Sequence, residues 1–195
     1  MKESRKSRRK IKRLALQQFA RGFDLDRLNF NKRMAPARHK PKLIGVIAAA
    51  VIYSALLLLG NIGVSNGAID HETLAKMSWV IMVPSSAIGI FVYMLISNRR
   101  QYDVIQDMKA YIALIEKDGG LFWRFAPLVA FLLPDNGLAE QMVAGSRAGD
   151  MEQLYPEDYG ISVHKLHEAL ANTGNREIPE EIETALIENF AHKGE

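Results

Sequence analysis

His164 and His167 stand three residues apart, with Glu168 beside them, in a stretch whose periodicity predicts a helix. Imidazoles at that spacing share a helix face and can hold one metal ion between them. Two ligands do not make a site. The spacing is not that of a zinc-protease helix, and no third or fourth ligand follows from residue order. The expectation is therefore no metal and no cofactor, with both histidines on a helix surface. Glu180, Glu181 and Glu183 are the next acidic cluster. They fall in the first turn of an expected helix, where carboxylates complement the helix dipole without any catalysis. The chain has no cysteine, which excludes a thiolate nucleophile, a thiolate metal site and a disulfide framework. It also lacks a phosphate-binding loop, a dinucleotide fingerprint, a nucleophile elbow and a tandem repeat. No catalytic residue is assigned, and the sequence points away from an enzyme.

The elements that would carry such side chains are set by where the apolar residues lie. Of the 195 residues 48% are hydrophobic, an ordinary share for a water-soluble domain if evenly spread. Residues 43–64 run without one Asp, Glu, Lys, Arg or His, as do residues 77–96. At about 1.5 Å per helical residue the two runs reach roughly 33 and 30 Å, enough for the roughly 30 Å hydrocarbon core of a bilayer. A signal peptide has a shorter apolar core near the chain start, and a buried core helix apolar on every face needs a large surrounding protein. Both runs are expected to be transmembrane helices, joined by a short external loop at 65–76. Arg33, Arg38, Lys40 and Lys42 precede the first run and Arg99 and Arg100 follow the second, while the loop carries only Lys76. The positive-inside rule then puts both termini in the cytoplasm, in a bacterial inner membrane by expectation.

Inside the runs, Gly45 and Ala49 stand four apart on the first helix, as do Ser85 and Gly89 on the second. Small residues at that spacing let helix backbones approach closely in lipid, so these four are the expected helix-packing residues. Pro84 removes a backbone hydrogen bond in mid-span, with Ser85 and Ser86 at hand for a freed carbonyl. No Asp, Glu, Lys, Arg or His lies within either run, which counts against a transporter acting alone.

The net charge of +3 hides an asymmetry. Residues 1–42 hold 15 Lys and Arg against three acids, +12, whereas residues 101–195 hold 7 against 17, −10. The basic arm, 1–42, is expected to combine a charged tip with a short amphipathic helix along Ile11, Ala15, Phe19 and Phe23. Arg8, Arg9, Lys10, Lys12 and Arg13, with Lys40 and Lys42 beside the membrane, are its expected contacts to anionic lipid headgroups, each contributing about 1 kcal/mol near the surface. No base-reading element accompanies these charges, so nucleic acid is not the expected partner. Pro36 and Pro41 are expected to break the arm into an extended connector.

Residues 97–195 read as an acidic, helical cytoplasmic region. Val104, Ile105, Met108, Ile112 and Ile115 form one helical stripe, with Asp103, Asp107, Lys109 and Glu116 off it. Residues 121–133 are too short to span and too apolar to lie free in water, so they form either a domain core or an interfacial segment. Asp135 or Asn136 is expected to cap 138–144, Ser162 to cap 163–171, and Pro179 to open a helix through Ala191. The expected fold class is an all-α membrane protein, a two-helix transmembrane hairpin with a small helical C-terminal region. The expected function is a non-enzymatic subunit or adaptor of a bacterial membrane assembly of the envelope, secretion or conjugation type. Its partners would be the membrane, anionic lipid and other membrane or cytoplasmic protein subunits. The alternatives are a holin-like pore former and a membrane-tethered enzyme with a cryptic site.

Overall fold

Residue 19 and residues 21–117, 119–149, 151, 155–172 and 178–191 are described in a computed structural model of the chain. Helix is the only regular structure among them, in seven elements. Helix α1 is Phe30–Ser65 and α2 is His71–Glu116; the shorter α3 (Leu121–Arg124), α4 (Ala126–Leu132), α5 (Gly137–Ala148), α6 (Pro156–Asn172) and α7 (Glu180–Ala191) follow. The all-α expectation stands, but a simple hairpin with a small tail does not. The chain forms seven described helices with extensive inter-helix packing, and it divides into two units. One is residues 33–104. The other joins residues up to 32 with residues 105–195 and has a hydrophobic core of its own.

In the first unit both long helices outrun the apolar stretches that nucleate them. Helix α1 has 36 residues and contains Pro36 and Pro41, so the expected extended connector is helical instead. Proline removes one hydrogen bond but its fixed φ suits a helix, and it bends rather than ends one that is held from outside. Met34 and Ala37 are buried beside these prolines, which supplies that hold. Helix α2 continues for 46 residues past Pro84. The Ser85 hydroxyl donates to the Ile81 carbonyl at 2.8 Å, one residue along from the carbonyl of Val80 that Pro84 leaves without its donor. The turn between the helices is closed by Asp70, which accepts the Thr73 N–H at 3.1 Å and the Thr73 hydroxyl as the N-cap of α2. These bonds hold the Asp70 carboxyl below the usual carboxylate range, the side-chain bond from Thr73 foremost.

The second unit is built on an aromatic core. Phe19, Phe23, Phe122, Phe125 and Tyr159 are almost wholly buried, with ring centroids between 4.8 and 6.4 Å apart. Each such ring contributes roughly 2–3 kcal/mol of burial at about 25 cal/mol per Å². Phe19 and Phe23, expected on the apolar face of an arm helix, are therefore core residues, packed with α3, α4 and α6. The segment that follows is held in place as well. Asp24 N–H donates to the Tyr111 hydroxyl at 2.8 Å, Arg27 pairs with Asp107 at 3.0 Å, and its guanidinium lies 4.5 Å from the Tyr111 ring centroid. The Leu28 carbonyl approaches Gly160 so closely that a Cβ there would collide with it, so only glycine lets this strand of chain lie on α6. Residues 121–133 form α3 and α4 and bury Phe122, Phe125, Leu128 and Val129; of the two expectations for this stretch, the domain core is the one observed.

The caps explain the remaining boundaries. Asn136 accepts the Ala139 N–H at 3.3 Å and opens α5. Pro179 precedes α7, and its carbonyl takes the first helical N–H groups, of Ile182 and Glu183. Ser162 is not a cap. Helix α6 starts six residues earlier, at Pro156, where Glu157 and Asp158 supply the acidic first turn, and Ser162 is buried inside it. Proline at a first helical position is as strong a start signal as serine at a cap, and the apolar stripe of Tyr159, Val163, Leu166 and Leu170 extends back to it.

Candidate functional site

A buried carboxylate network centres on Glu116, the last residue of α2 and 5% exposed. Its Oε1 accepts the Phe122 N–H at 3.1 Å and the Tyr159 hydroxyl, and its Oε2 accepts the Ser146 hydroxyl. Ser146 Oγ in turn accepts the Trp123 N–H at 3.0 Å. Glu116 and Ser146 thus cap α3 through two consecutive backbone donors, doing for a four-residue helix what a local Ser or Asp usually does. Gly120 makes this possible. It has φ 64°, and a Cβ on it would collide with Ser146. Burial, and then the Glu116 charge, push the Tyr159 phenol well above its ordinary 10.0, so it remains a donor. The node joins α2, α3, α5 and α6, and all its oxygens are engaged with one another. It positions helices; it offers no free base or nucleophile.

What it positions is a groove between α3 and α4 on one side and α5 on the other. Trp123, Ala126, Val129, Ala130 and Leu133 form one wall, and Glu140, Val143, Ala144, Arg147 and Ala148 the other, enclosing about 560 Å³. Arg147 lies 5.9 Å from the Trp123 ring centroid. The floor is small and apolar, the ends carry one charge of each sign, and it is open to the surface. Such a trough takes the apolar stripe of a helix or peptide. Sequence reasoning did not find it, although Ala126 and Ala130, and Ala144 and Ala148, each stand four apart and so mark a low strip on each helix.

The residues singled out for chemistry are differently occupied. His164 Nδ1 lies 2.8 Å from the Gly160 carbonyl, and the His167 ring stacks at 5.8 Å on Phe19. Among the described residues no three His, Asp or Glu side chains are grouped closely enough to hold a metal ion. Glu180 and Glu181 are exposed in the first turn of α7, and Glu183 is buried.

Within residues 33–104, Gly45, Ala49 and Gly89 meet. A Cβ on Gly89 would stand 2.6 Å from the Gly45 carbonyl oxygen and 2.7 Å from the Ala49 Cβ, and one on Gly45 would stand 2.7 Å from the Gly89 oxygen. Ser85 is buried, its hydroxyl committed to its own helix. Lys40 and Lys42 are exposed on α1; Arg8, Arg9, Lys10, Lys12 and Arg13 lie outside the described residues. Helices α1 and α2 are both long and apolar enough to cross a membrane, and only 6% and 17% of their most apolar stretches are buried. No protein-family model, curated protein or solved structure matches the chain.

Proposed function

We propose that this chain is a non-enzymatic membrane subunit or adaptor, in which the apolar part of α1 and α2 anchors and the helical unit formed by residues 19–32 and 105–191 recruits other subunits. The observation that carries the reading is the exposure of the two long apolar stretches. A core helix of a water-soluble protein is covered by its own chain, whereas Leu43, Val46, Val51, Val80, Val83 and Phe91 are all more than 60% exposed. That much uncovered apolar surface needs a nonaqueous neighbour. The recruiting half rests on the Trp123 groove, whose alanine floor suits an apolar helix of a partner subunit.

Orientation follows from charge. Arg33, Arg38, Lys40, Lys42, Arg99 and Arg100 flank one end of the pair, while at the other end Lys76 is bonded to Glu72 at 2.7 Å. The basic end belongs in the cytoplasm, which places both termini there and fits a bacterial inner membrane. An assembly of the envelope, secretion or conjugation type supplies the partners. A holin-like pore is the poorer reading, because Gly45, Ala49 and Gly89 are already spent on contact within one chain.

The test is extraction and capture. The full chain should stay in membranes through alkaline carbonate, and crosslinking in cells followed by purification in mild detergent should retain discrete partners. Ala144→Arg, which fills the groove from an exposed position, should release them while leaving the chain folded and membrane-bound. Release by carbonate sinks the anchor, and retention of every partner by Ala144→Arg sinks the groove.

A further inference from the structure

We propose that the apolar helix pair carries a specific site for one anionic phospholipid, its acyl chain lying in a groove between α1 and α2 and its phosphate held at the mouth by Lys42 and Tyr93. The inference rests on the membrane reading above. The groove is lined by Lys42, Gly45, Val46 and Ala49 from α1 and by Ser86, Gly89, Ile90 and Tyr93 from α2, and encloses about 400 Å³. Its shape follows from packing. Gly45 and Gly89 bring the backbones into contact, so the bulkier side chains on either side stand up as banks around a low floor. From Lys42 to Ala49, and equally from Ser86 to Tyr93, the walls run about 10 Å along the helix axis at about 1.5 Å per residue. That length matches a good part of one acyl chain in a leaflet roughly 15 Å deep.

The mouth selects the headgroup. Lys42 is the last basic residue before the apolar run begins at Leu43, and Tyr93 is three residues from the other run's end at Ile96. Both are therefore at one end of the pair, the end flanked by Arg99 and Arg100. Neither the Lys42 ammonium nor the Tyr93 hydroxyl has a hydrogen-bond or ion-pair partner among the described residues. In a bilayer a polar group at this depth needs an acceptor, and a lysine stem reaches to headgroup level to find one. A phosphate oxygen accepts from both the ammonium and the phenol. The occupant is accordingly a lipid with net negative charge, whose phosphate is not already paired with a choline or ethanolamine cation.

Native mass spectrometry of the full chain, released from micelles containing equal phosphatidylglycerol and phosphatidylcholine of identical acyl chains, tests this. One phosphatidylglycerol should remain bound in preference to phosphatidylcholine. Lys42→Gln should lower its retention about five-fold, whereas Lys76→Gln, an exposed lysine at the other end of the pair bonded to Glu72, should leave it unchanged. Ser86→Leu, which raises the floor without touching the Gly45–Gly89 contact, should reduce retention of both lipids. Tyr93→Phe, which keeps the ring and removes only the hydroxyl, should weaken the preference for the anionic lipid. Equal retention of the two lipids, or equal losses from Lys76→Gln and Lys42→Gln, overturns the site. If Ser86→Cys forms a disulfide dimer in membranes and no lipid is retained, a second copy covers the groove and the inference is also overturned. Carbonate extraction of the same preparations separates the two failures, since a chain that resists carbonate yet binds no lipid leaves the anchor standing and removes only this site.

Discussion

Residues 33–104 and the unit built from residues 19–32 and 105–191 arrange large and small side chains in opposite ways. In the first, Leu43, Val46, Val80, Val83 and Phe91 face outward and Gly45, Ala49 and Gly89 face inward. In the second, phenylalanines and leucines fill the interior, together with a carboxylate, two hydroxyls and their backbone donors. On the membrane reading proposed above, the difference is one of solvent. Water expels apolar area, so the second unit gains by burying its largest rings and must then pair most of the polar groups it encloses. A hydrocarbon surround gives apolar side chains no reason to hide, and helices there are held by close backbone approach.

The contrast is broken most severely at the aromatic core. Phe23→Ala should destabilise its unit by about 3–5 kcal/mol through lost burial and the cavity left among Phe19, Phe122, Phe125 and Tyr159. Phe91→Ala removes the same side chain from an exposed position and should cost under about 1 kcal/mol. Thermal unfolding in mild detergent, followed by near-ultraviolet circular dichroism, gives both values. Equal losses would show that the two units do not differ in what surrounds them.

Next comes the polar node. Glu116→Ala leaves the Tyr159 hydroxyl, the Ser146 hydroxyl and the Phe122 N–H without their acceptor in a buried place, at about 1–3 kcal/mol for each group left unsatisfied. A loss of at least about 3 kcal/mol is expected from the three together. Glu116→Gln keeps one acceptor oxygen and should cost less. Tyr159 adds a pH signature. Its pKa in the folded protein lies above the ordinary 10.0, so above about pH 10 the folded state holds a proton that the unfolded state has released. The stability this contributes is complete below pH 10 and drains away as the pH rises further. Tyr159→Phe should flatten that alkaline decline, and an undiminished decline would assign it to other groups.

The sequence is legible where a signal is local. The apolar runs at 43–64 and 77–96, the Asn136 cap and the Pro179 start need only their neighbours to be read. Glu116 does not, because its burial depends on Ser146 and Tyr159, 30 and 43 residues further on. From its own helix it is one more polar residue off the apolar stripe. Phe19 and Phe23 have the spacing of an amphipathic helix whatever covers them, and periodicity cannot tell a lipid surface from α4 and α6. Propensity alone reads Pro36 and Pro41 as breaks, which the buried Met34 and Ala37 override. The Trp123 groove was least legible of all, since it exists only once α3 and α4 are set against α5.

The helix pair gives a smaller effect with a sharper control. Gly89→Val puts methyl groups against the Gly45 carbonyl and Ala49 Cβ, which are backbone and a side chain with no room to turn aside. A loss of about 1–3 kcal/mol is expected, as for overpacking of a close contact. Ala87→Val, two residues away and exposed, should be close to neutral. Thermal unfolding in mild detergent checks both, and equal values for the two variants would mean that the backbones do not need to touch.

The smallest effect has the opposite sign, and it tests the rule that the second unit pairs its buried polar groups. Ser162 is fully buried inside α6, and its Oγ has no hydrogen-bond partner among the described residues. Burying an unpaired hydroxyl costs about 1–3 kcal/mol, and serine is also a poorer helix former than alanine by a few tenths of a kcal/mol. Against this, Ser162→Ala loses the dispersion contacts of one oxygen atom and leaves a void too small for water. The balance favours alanine, so Ser162→Ala should raise stability by up to about 1 kcal/mol. Ser146→Ala makes the same chemical change where the hydroxyl is bonded to Glu116 and the Trp123 N–H, and should lower stability by about 1–3 kcal/mol. Two Ser→Ala changes of opposite sign in one core would show that pairing, not burial, decides what a hydroxyl contributes there. A loss above about 1 kcal/mol at Ser162 would instead mean that this hydroxyl has found a partner, and the unit's polar interior would then be more completely paired than its geometry indicates.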